Sequence, residues 1–335
     1  MVAREQLEQL LATVGQAQRV LILPHNDPDP DAIAGAVALR YLLQSKLEVT
    51  CQVAYKGIIG RAENRALARY LGHPLNRLRR ADFQADVPVA LVDTQPGFGN
   101  NALSAGAAVA IVIDHHPWRE ETAAAIFADV RPDVGSVSTM LTQYLQAAGL
   151  PPTATIATAL FYGIKTDTMG LARGAAAADT SAYFYLLPRI DVEALVKIER
   201  AQVPADYFRS LARTVEAART YDGVIFSHVG SMSYPDLAAE MADLLLRLQG
   251  TQWVICTGLH KDMLLVSVRT RHSSGAHQLA HAVIGNEGVA GGHGMLAGGQ
   301  ITVGDEDPEQ LVEQLRRRAL EYLKVPPDTE GKPLV

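Results

Sequence analysis

The order of apolar and polar positions divides this chain into two halves. Residues 19–23 (RVLIL) form a short apolar run that stops at Pro24, the pattern of a buried strand. Residues 48–55, 87–92 (VPVALV) and 108–113 (AVAIVI) repeat that pattern. Between and after them lie helical periodicities. Residues 1–17 are amphipathic. Residues 32–44 align Ile33, Val37, Leu39, Leu42 and Leu43 on one face. Residues 62–71 read as a helix, and residues 136–148 and 153–164 as two more, parted by Pro151-Pro152. Strands alternating with helices predict an α/β domain built on a parallel sheet with helices on both faces. The near-continuous apolar strands fit burial on both sides.

From residue 188 the character changes. Residues 188–220 carry helical segments around Pro204 with charges spread along them (Glu193, Lys197, Arg209, Arg213), which predicts a helical linker. A second, smaller α/β domain with a mixed sheet follows over residues 221–325. It has strands at 224–229, 253–259, 264–269 and 300–303, helices at 237–248, 277–284 and 309–323, and a glycine-rich loop at 288–299. Residues 1–187 are the first domain. Residues 326–335 are a polar, proline-containing tail.

Composition narrows the function classes. The 335 residues carry a formal net charge of −6, which argues against a broad basic face for long nucleic acid. Cys51 and Cys256 lie in apolar strand-like segments and read as buried free thiols of a reducing compartment. No run is apolar for the ~18 residues a membrane span needs, and no secretory signal is visible. The expectation is a cytoplasmic protein.

The chemistry lies where apolar strands end. In open parallel sheets, ligands bind beyond the carboxyl ends of the strands. The first strand runs into His25-Asn26-Asp27-Pro28-Asp29-Pro30-Asp31, the third into Asp93, and the fourth into Asp114-His115-His116. Asp167 follows a later apolar helix. Carboxylates and imidazoles gathered this way repel or desolvate one another unless cations compensate them. Pro28 and Pro30 stiffen the first loop. Asp29 and Asp31, two apart, can each address a different ion, and Asp31 is also placed to cap the helix from Ala32. Asp93 reads as a bridging carboxylate, against the simpler alternative of a turn residue. Two adjacent histidines after a buried strand cannot both hide in the core. One arrangement puts His115 on a metal, turns His116 to a substrate phosphate, and leaves Asp114 to orient a neighbour.

These four segments resemble the DHH phosphoesterase superfamily, which is named for the Asp-His-His triplet and includes exonucleases, nano-RNases active on phosphoadenosine phosphate, cyclic-dinucleotide phosphodiesterases and type II pyrophosphatases. The resemblance implies one metal at His25, Asp29 and Asp93 and a second at Asp31, Asp93, His115 and Asp167, with His116 on the scissile phosphate. Asp27 falls where the family varies. Ala290-Gly291-Gly292-His293-Gly294 resembles the glycine-rich element of the family's associated C-terminal domain, so Gly291, Gly292 and His293 are candidate substrate contacts. Arg269, Arg271 and His272, at a strand end, are candidate oxyanion clamps. Trp118 could stack on a base, although packing is the simpler expectation.

The family's glycine-rich loop often carries more glycines before its histidine and Ala-Ala-Gly after it, where this chain reads AGGHGMLAGG. That departure leaves substrate identity open. The resemblance implies two-metal hydrolysis of phosphoesters at a cleft between the domains, with dinucleotides, short single-stranded oligonucleotides and 3′,5′-bisphosphate nucleosides as substrates. The mixed oxygen and nitrogen donors suit Mn²⁺, and Mg²⁺ or Co²⁺ also fit. A cyclic or linear di-adenylate phosphodiesterase is the near alternative, and a catalytically dead nucleotide sensor the non-enzymatic one. The Ser-Arg-Lys-Lys-like cluster of pyrophosphatases is missing. A homodimer is compatible with the resemblance; membrane partners and long nucleic acid are not expected.

Overall fold

The four apolar runs of the first half become neighbours in one sheet. The computed structural model of the protein describes residues 4–103, 107–304 and 307–335, except for the side chain of His293. It contains two compact units, residues 1–201 and 202–335.

In the first unit the elements follow in the order α1 (Arg4–Val14), β1 (Arg19–Pro24), α2 (Pro30–Lys46), β2 (Thr50–Tyr55), α3 (Ala62–Tyr70), β3 (Leu75–Arg77), β4 (Val89–Val92), β5 (Val109–Asp114), β6 (Phe127–Val130), α4 (Val137–Ala147), α5 (Ala154–Asp167), α6 (Ala177–Leu186) and α7 (Val192–Glu199). The strands form a six-stranded sheet in the order β3-β2-β1-β4-β5-β6. Every described pairing in it is parallel. Chain order departs to one side from β1 to β2 and resumes on the other side at β4. The crevice beyond β1 and β4 is therefore the switch point where such sheets bind ligands.

Alternate strand residues serve opposite faces. Val20, Ile22, Val92, Ile111 and Ile113 join Leu10, Leu39, Leu141 and Leu160 of the helices in the main core. Leu21, Leu23, Leu91 and Val112 face the other way. The sequence pattern predicts helices on both faces. On this second face the described cover comes instead from connecting segments, through Leu78, Phe83, Leu103 and Ala125. The class is α/β as expected. The difference arises because the connections after β3, β4 and β5 contain no long helical run to lay against that face.

The second unit runs α8 (Ala205–Ala217), β7 (Arg219–Tyr221), β8 (Val224–Ser231), α9 (Leu237–Leu245), β9 (Trp253–His260), β10 (Met263–Thr270), α10 (Ala276–Ile284), β11 (Gly288–His293), β12 (Leu296–Thr302), α11 (Pro308–Tyr322) and β13 (Lys332–Pro333). Its seven-stranded mixed sheet has the order β11-β12-β10-β9-β8-β7-β13, parallel at β8–β9 and antiparallel at the other pairs. Helices α10 and α11 pack on one face and α9 on the other. The stretch 188–220 is divided: α7 belongs to the first unit and α8 to the second. The expected glycine-rich loop at 288–299 is the hairpin β11–β12. Glycine supplies no apolar alternation, so the pairing leaves no trace in the sequence pattern. No described helix is long and apolar enough to cross a membrane.

Candidate metal centre

The loop after β1 is folded by its own polar side chains. Asp29 caps α2, its Oδ1 accepting from Ala32 N at 3.0 Å, and Pro30 fills the first helical position. The cap is thus Asp29 and not Asp31, as the sequence suggested. Proline favours the first helical turn, which moves the helix start two residues earlier. Asp31 then lies inside that turn, fully buried. Its carboxylate accepts from Val137 N at 2.7 Å and Ser138 N at 2.8 Å, the first amides of α4. A helix N-terminus thus holds one carboxylate of the site in place.

Asp27 has a different task. At φ 54° it turns its carboxylate away to accept from Ile58 N at 2.6 Å, while its own N–H donates to Lys56 O at 3.0 Å. Gly57 is required beside it, because a Cβ there would sit 2.3 Å from Asp27 Oδ1. Asp27 pins the loop after β2 to the loop after β1, a role the sequence did not disclose.

Seven side chains from four segments converge. Three groups each keep their ligand atoms within 4.8 Å: His25, Asp29 and Asp93; Asp31, His115 and Asp167; Asp93, His115 and His116. His25 Nε2 lies 3.7 Å from Asp29 and 3.5 Å from Asp93. His115 Nε2 lies 3.4 Å from Asp93 and 3.5 Å from Asp167. Asp93, at φ 61°, stands between the two histidines. Its side chain is 3% exposed. Asp167 is the last residue of α5, where the sequence placed it in a loop past residue 164. A carboxylate at a helix C-terminus meets the negative end of the helix dipole. Arg173 supports that end by donating to Asp167 O at 2.7 Å.

The electrostatics show how closely the charges are crowded. Burial, followed by the charge of Asp93, raises Asp31 to about 7. Burial, then Asp29 and Asp31, raises Asp167 well above the carboxylate range. Burial alone would lower His25, but its hydrogen bond and charge interactions with Asp29, and then Asp93, lift it to about 10. Burial likewise opposes the charged form of His115, yet Asp93, Asp167 and Asp31 raise it well above its ordinary value. Among the described residues Asp93 Oδ1 is buried without a well-formed hydrogen bond, His115 Nε2 standing 3.4 Å away. An orphaned acceptor among crowded carboxylates, with only oxygen and nitrogen donors, fits divalent cations.

His116 is held differently. Its Nδ1 lies 2.8 Å from Asp114 Oδ1, and Phe98 packs edge-on against its ring at 5.7 Å. Asp114 is fully buried and also accepts from His115 N at 2.9 Å and from Gln95 Nε2 at 2.6 Å. Trp118 is 51% exposed and so does not pack into the domain as the sequence suggested.

The candidates of the second unit divide. Arg269 is buried, its Nε 2.6 Å from Asp243 and its Nη1 bonded to Val268 O and Ala297 O. Those bonds make it a structural cation inside the sheet, contrary to the expected oxyanion clamp. Arg271 is exposed and donates to Leu246 O at 2.8 Å, and the His272 ring lies 5.4 Å from Trp253. Gly291 is exposed, and among the described residues nothing lies within 4 Å of where its Cβ would be. Gly292 has φ 127°, and its Cβ would meet Ala297 Cα and Leu296 O at 2.5 Å, so its smallness serves the hairpin. The side chain of His293 lies outside the described residues.

Comparison with known proteins bears on the first unit and on the fold. Residues 19–164 match the DHH family, N-terminal domain, which spans all the elements of the cluster except Asp167. An uncharacterized protein of Methanocaldococcus jannaschii is 33% identical over 316 residues, covering 91% of this chain and 64% of the relative. The chain therefore spans less than two thirds of that protein. Among solved structures, an exopolyphosphatase-related protein from Bacteroides fragilis superposes with a TM-score of 0.77 at 15% identity, covering 96% of this chain and 97% of that one. The exonuclease RecJ bound to manganese superposes at 0.52 with 17% identity, covering 96% and 94%. The family match thus covers residues 19–164, and the likeness to the solved structures is one of fold.

Proposed function

We propose that this protein is a metal-dependent phosphoesterase that hydrolyses dinucleotides and short oligonucleotides, with 3′,5′-bisphosphate nucleosides as a further substrate class. The observation that carries this reading is the pair of ligand triads, His25-Asp29-Asp93 and Asp31-His115-Asp167, with Asp93 facing the histidine of each. His25, Asp29 and Asp93 would hold one cation; Asp31, Asp93, His115 and Asp167 would hold the other. Two bound divalent cations would supply Lewis-acid charge at the phosphate and a water acidic enough to act as nucleophile at neutral pH. The donor set favours manganese, and the manganese carried by the RecJ neighbour supports that choice.

The chain's own residues do the rest. His116, oriented through Nδ1 by Asp114, would donate from its other ring nitrogen to an equatorial phosphate oxygen when both ring nitrogens carry protons. Trp118, two residues further on, offers an exposed ring for a base. Trp118→Ala is expected to raise KM several-fold for a dinucleotide and to leave a base-free phosphodiester unaffected. Steady-state kinetics on the two substrates checks this.

A substrate panel with added Mn²⁺, read by chromatography, tests the function. It comprises dinucleotides, short oligonucleotides, a 3′,5′-bisphosphate nucleoside, cyclic and linear di-adenylate, and pyrophosphate. Release of mononucleotide or phosphate by the wild type and its loss in Asp93→Ala supports the proposal. Turnover of only the di-adenylates selects that narrower activity. Ligand binding without turnover of any substrate leaves a sensor.

A further inference from the structure

Gln95 is fully buried, yet it is neither a metal ligand nor part of the apolar core. It follows Asp93 by two residues, in the loop that leaves the switch point. Its Oε1 accepts from Arg119 N and from Thr122 Oγ1, both at 2.9 Å. Its Nε2 donates to Asp114 Oδ2 at 2.6 Å and to Pro117 O at 3.1 Å. These partners fix which end of the amide is which. Arg119 N–H can only donate, and the Pro117 carbonyl can only accept. The opposite orientation would face N–H against N–H and oxygen against a carboxylate.

The Asp114 carboxylate is thereby divided. One oxygen takes the Gln95 amide. The other takes His115 N at 2.9 Å and His116 Nδ1 at 2.8 Å. An Nδ1–H bonded to that carboxylate fixes the rotation of the ring about its Cβ–Cγ bond and leaves Nε2 as the nitrogen remote from Asp114. The network also reaches the first ligand loop: Asn101 Nδ2 donates to Gln95 O at 2.8 Å, Thr94 Oγ1 to Asn100 Oδ1 at 2.6 Å, and Asn26 N to Asn100 O at 2.6 Å.

We propose that Gln95 is a positioning residue. Through Asp114 it sets the ring orientation and tautomer of His116, and through Pro117, Arg119 and Thr122 it sets the path of residues 117–122. Only glutamine meets the requirement. Glutamate has the shape but no donor, and would set a second carboxylate against Asp114. Asparagine is one methylene too short to span Asp114 and Arg119. The proposal rests on the phosphoesterase reading for its kinetic consequence, but its structural consequence can be read without turnover.

The test uses Gln95→Glu, with Gln95→Asn as the milder variant should the first not fold. Two readouts are needed. Nitrogen-15 spectra of the His116 ring, recorded without paramagnetic ions, should show Nδ1 protonated and hydrogen-bonded in the wild type and a shifted or mixed Nδ1 signal in the variant. With Mn²⁺ and a base-free phosphodiester turned over by the wild type, which does not use Trp118, kcat should fall about 10- to 100-fold, with KM and ion stoichiometry unchanged. In a His116→Ala background the same substitution should cost less than about twofold, because the residue it acts through is gone. An unchanged His116 ring, or a full-sized loss that persists in the His116→Ala background, overturns the proposal. A changed ring in a protein that hydrolyses nothing keeps the positioning role and removes the phosphoesterase reading.

Discussion

Asp31 and His25 show how single residues would couple this site to the cations proposed for it. In the folded chain without cations, Asp31 is raised to about 7 by burial and by Asp93. A carboxyl raised in this way keeps a proton that the unfolded chain has released, so its effect on stability grows worse as pH rises from about 4 to 7. His25, raised to about 10, contributes stability that is complete below its ordinary range and is lost as pH climbs towards 10. A cation needs the carboxylate ionised and the imidazole neutral. Both groups therefore favour cation binding at higher pH. Mn²⁺ affinity is expected to tighten at least about tenfold from pH 6 to 8, from the Asp31 proton alone. Titration calorimetry in buffers of different ionisation enthalpy should count protons released on binding. Binding that ignores pH would contradict this account. At the same scale, the ligand types were legible because each follows an apolar strand or helix. Gln95 and Asp27 were not, because a buried amide and a loop-pinning carboxylate have no spacing signature. The cap was misassigned for a related reason: Asp29 and Asp31 are chemically equal, and only the position of Pro30 in the first turn separates them.

At the scale of elements, the strand ends matter most. Strands β1, β4 and β5 are adjacent, and their carboxyl ends deliver His25, Asp93 and the Asp114–His116 triplet side by side. Helices α4 and α5 complete the set, α4 by its N-terminal amides on Asp31 and α5 by ending at Asp167. The apolar runs made the central strands readable. The edge strands β3 and β6 are three and four residues long, too short for a period to emerge. Hairpin β11–β12 was hidden by its glycines, and it permits a sharp contrast. Gly292→Ala forces a Cβ against the facing backbone at φ 127°, so a loss of more than about 1 kcal/mol is expected. Gly291→Ala meets open space and should leave stability within about 0.5 kcal/mol. Thermal unfolding of the two variants checks both. If Gly291 contacts substrate, its variant should still raise KM.

At the scale of the whole molecule, the division between two units is also a division of labour. Every ligand candidate lies in residues 1–201, which has its own apolar core. A chain of residues 1–201 is therefore expected to fold and to be stabilised by Mn²⁺, with scanning calorimetry as the check. The second unit was legible as a mixed α/β domain from its strand and helix signals. The fate of Arg269 was not, because a cation at a strand end reads the same whether it meets a substrate or an internal carboxylate such as Asp243.

The central claim is that His25, Asp29, Asp31, Asp93, His115 and Asp167 together hold two cations. The direct measurement is the number of Mn²⁺ ions bound per chain at saturation, by equilibrium dialysis with elemental analysis, for the wild type and Asp93→Ala. Two ions in the wild type, and fewer than two in the variant, is the expected result. Fewer than two in the wild type, or two retained without Asp93, would contradict it.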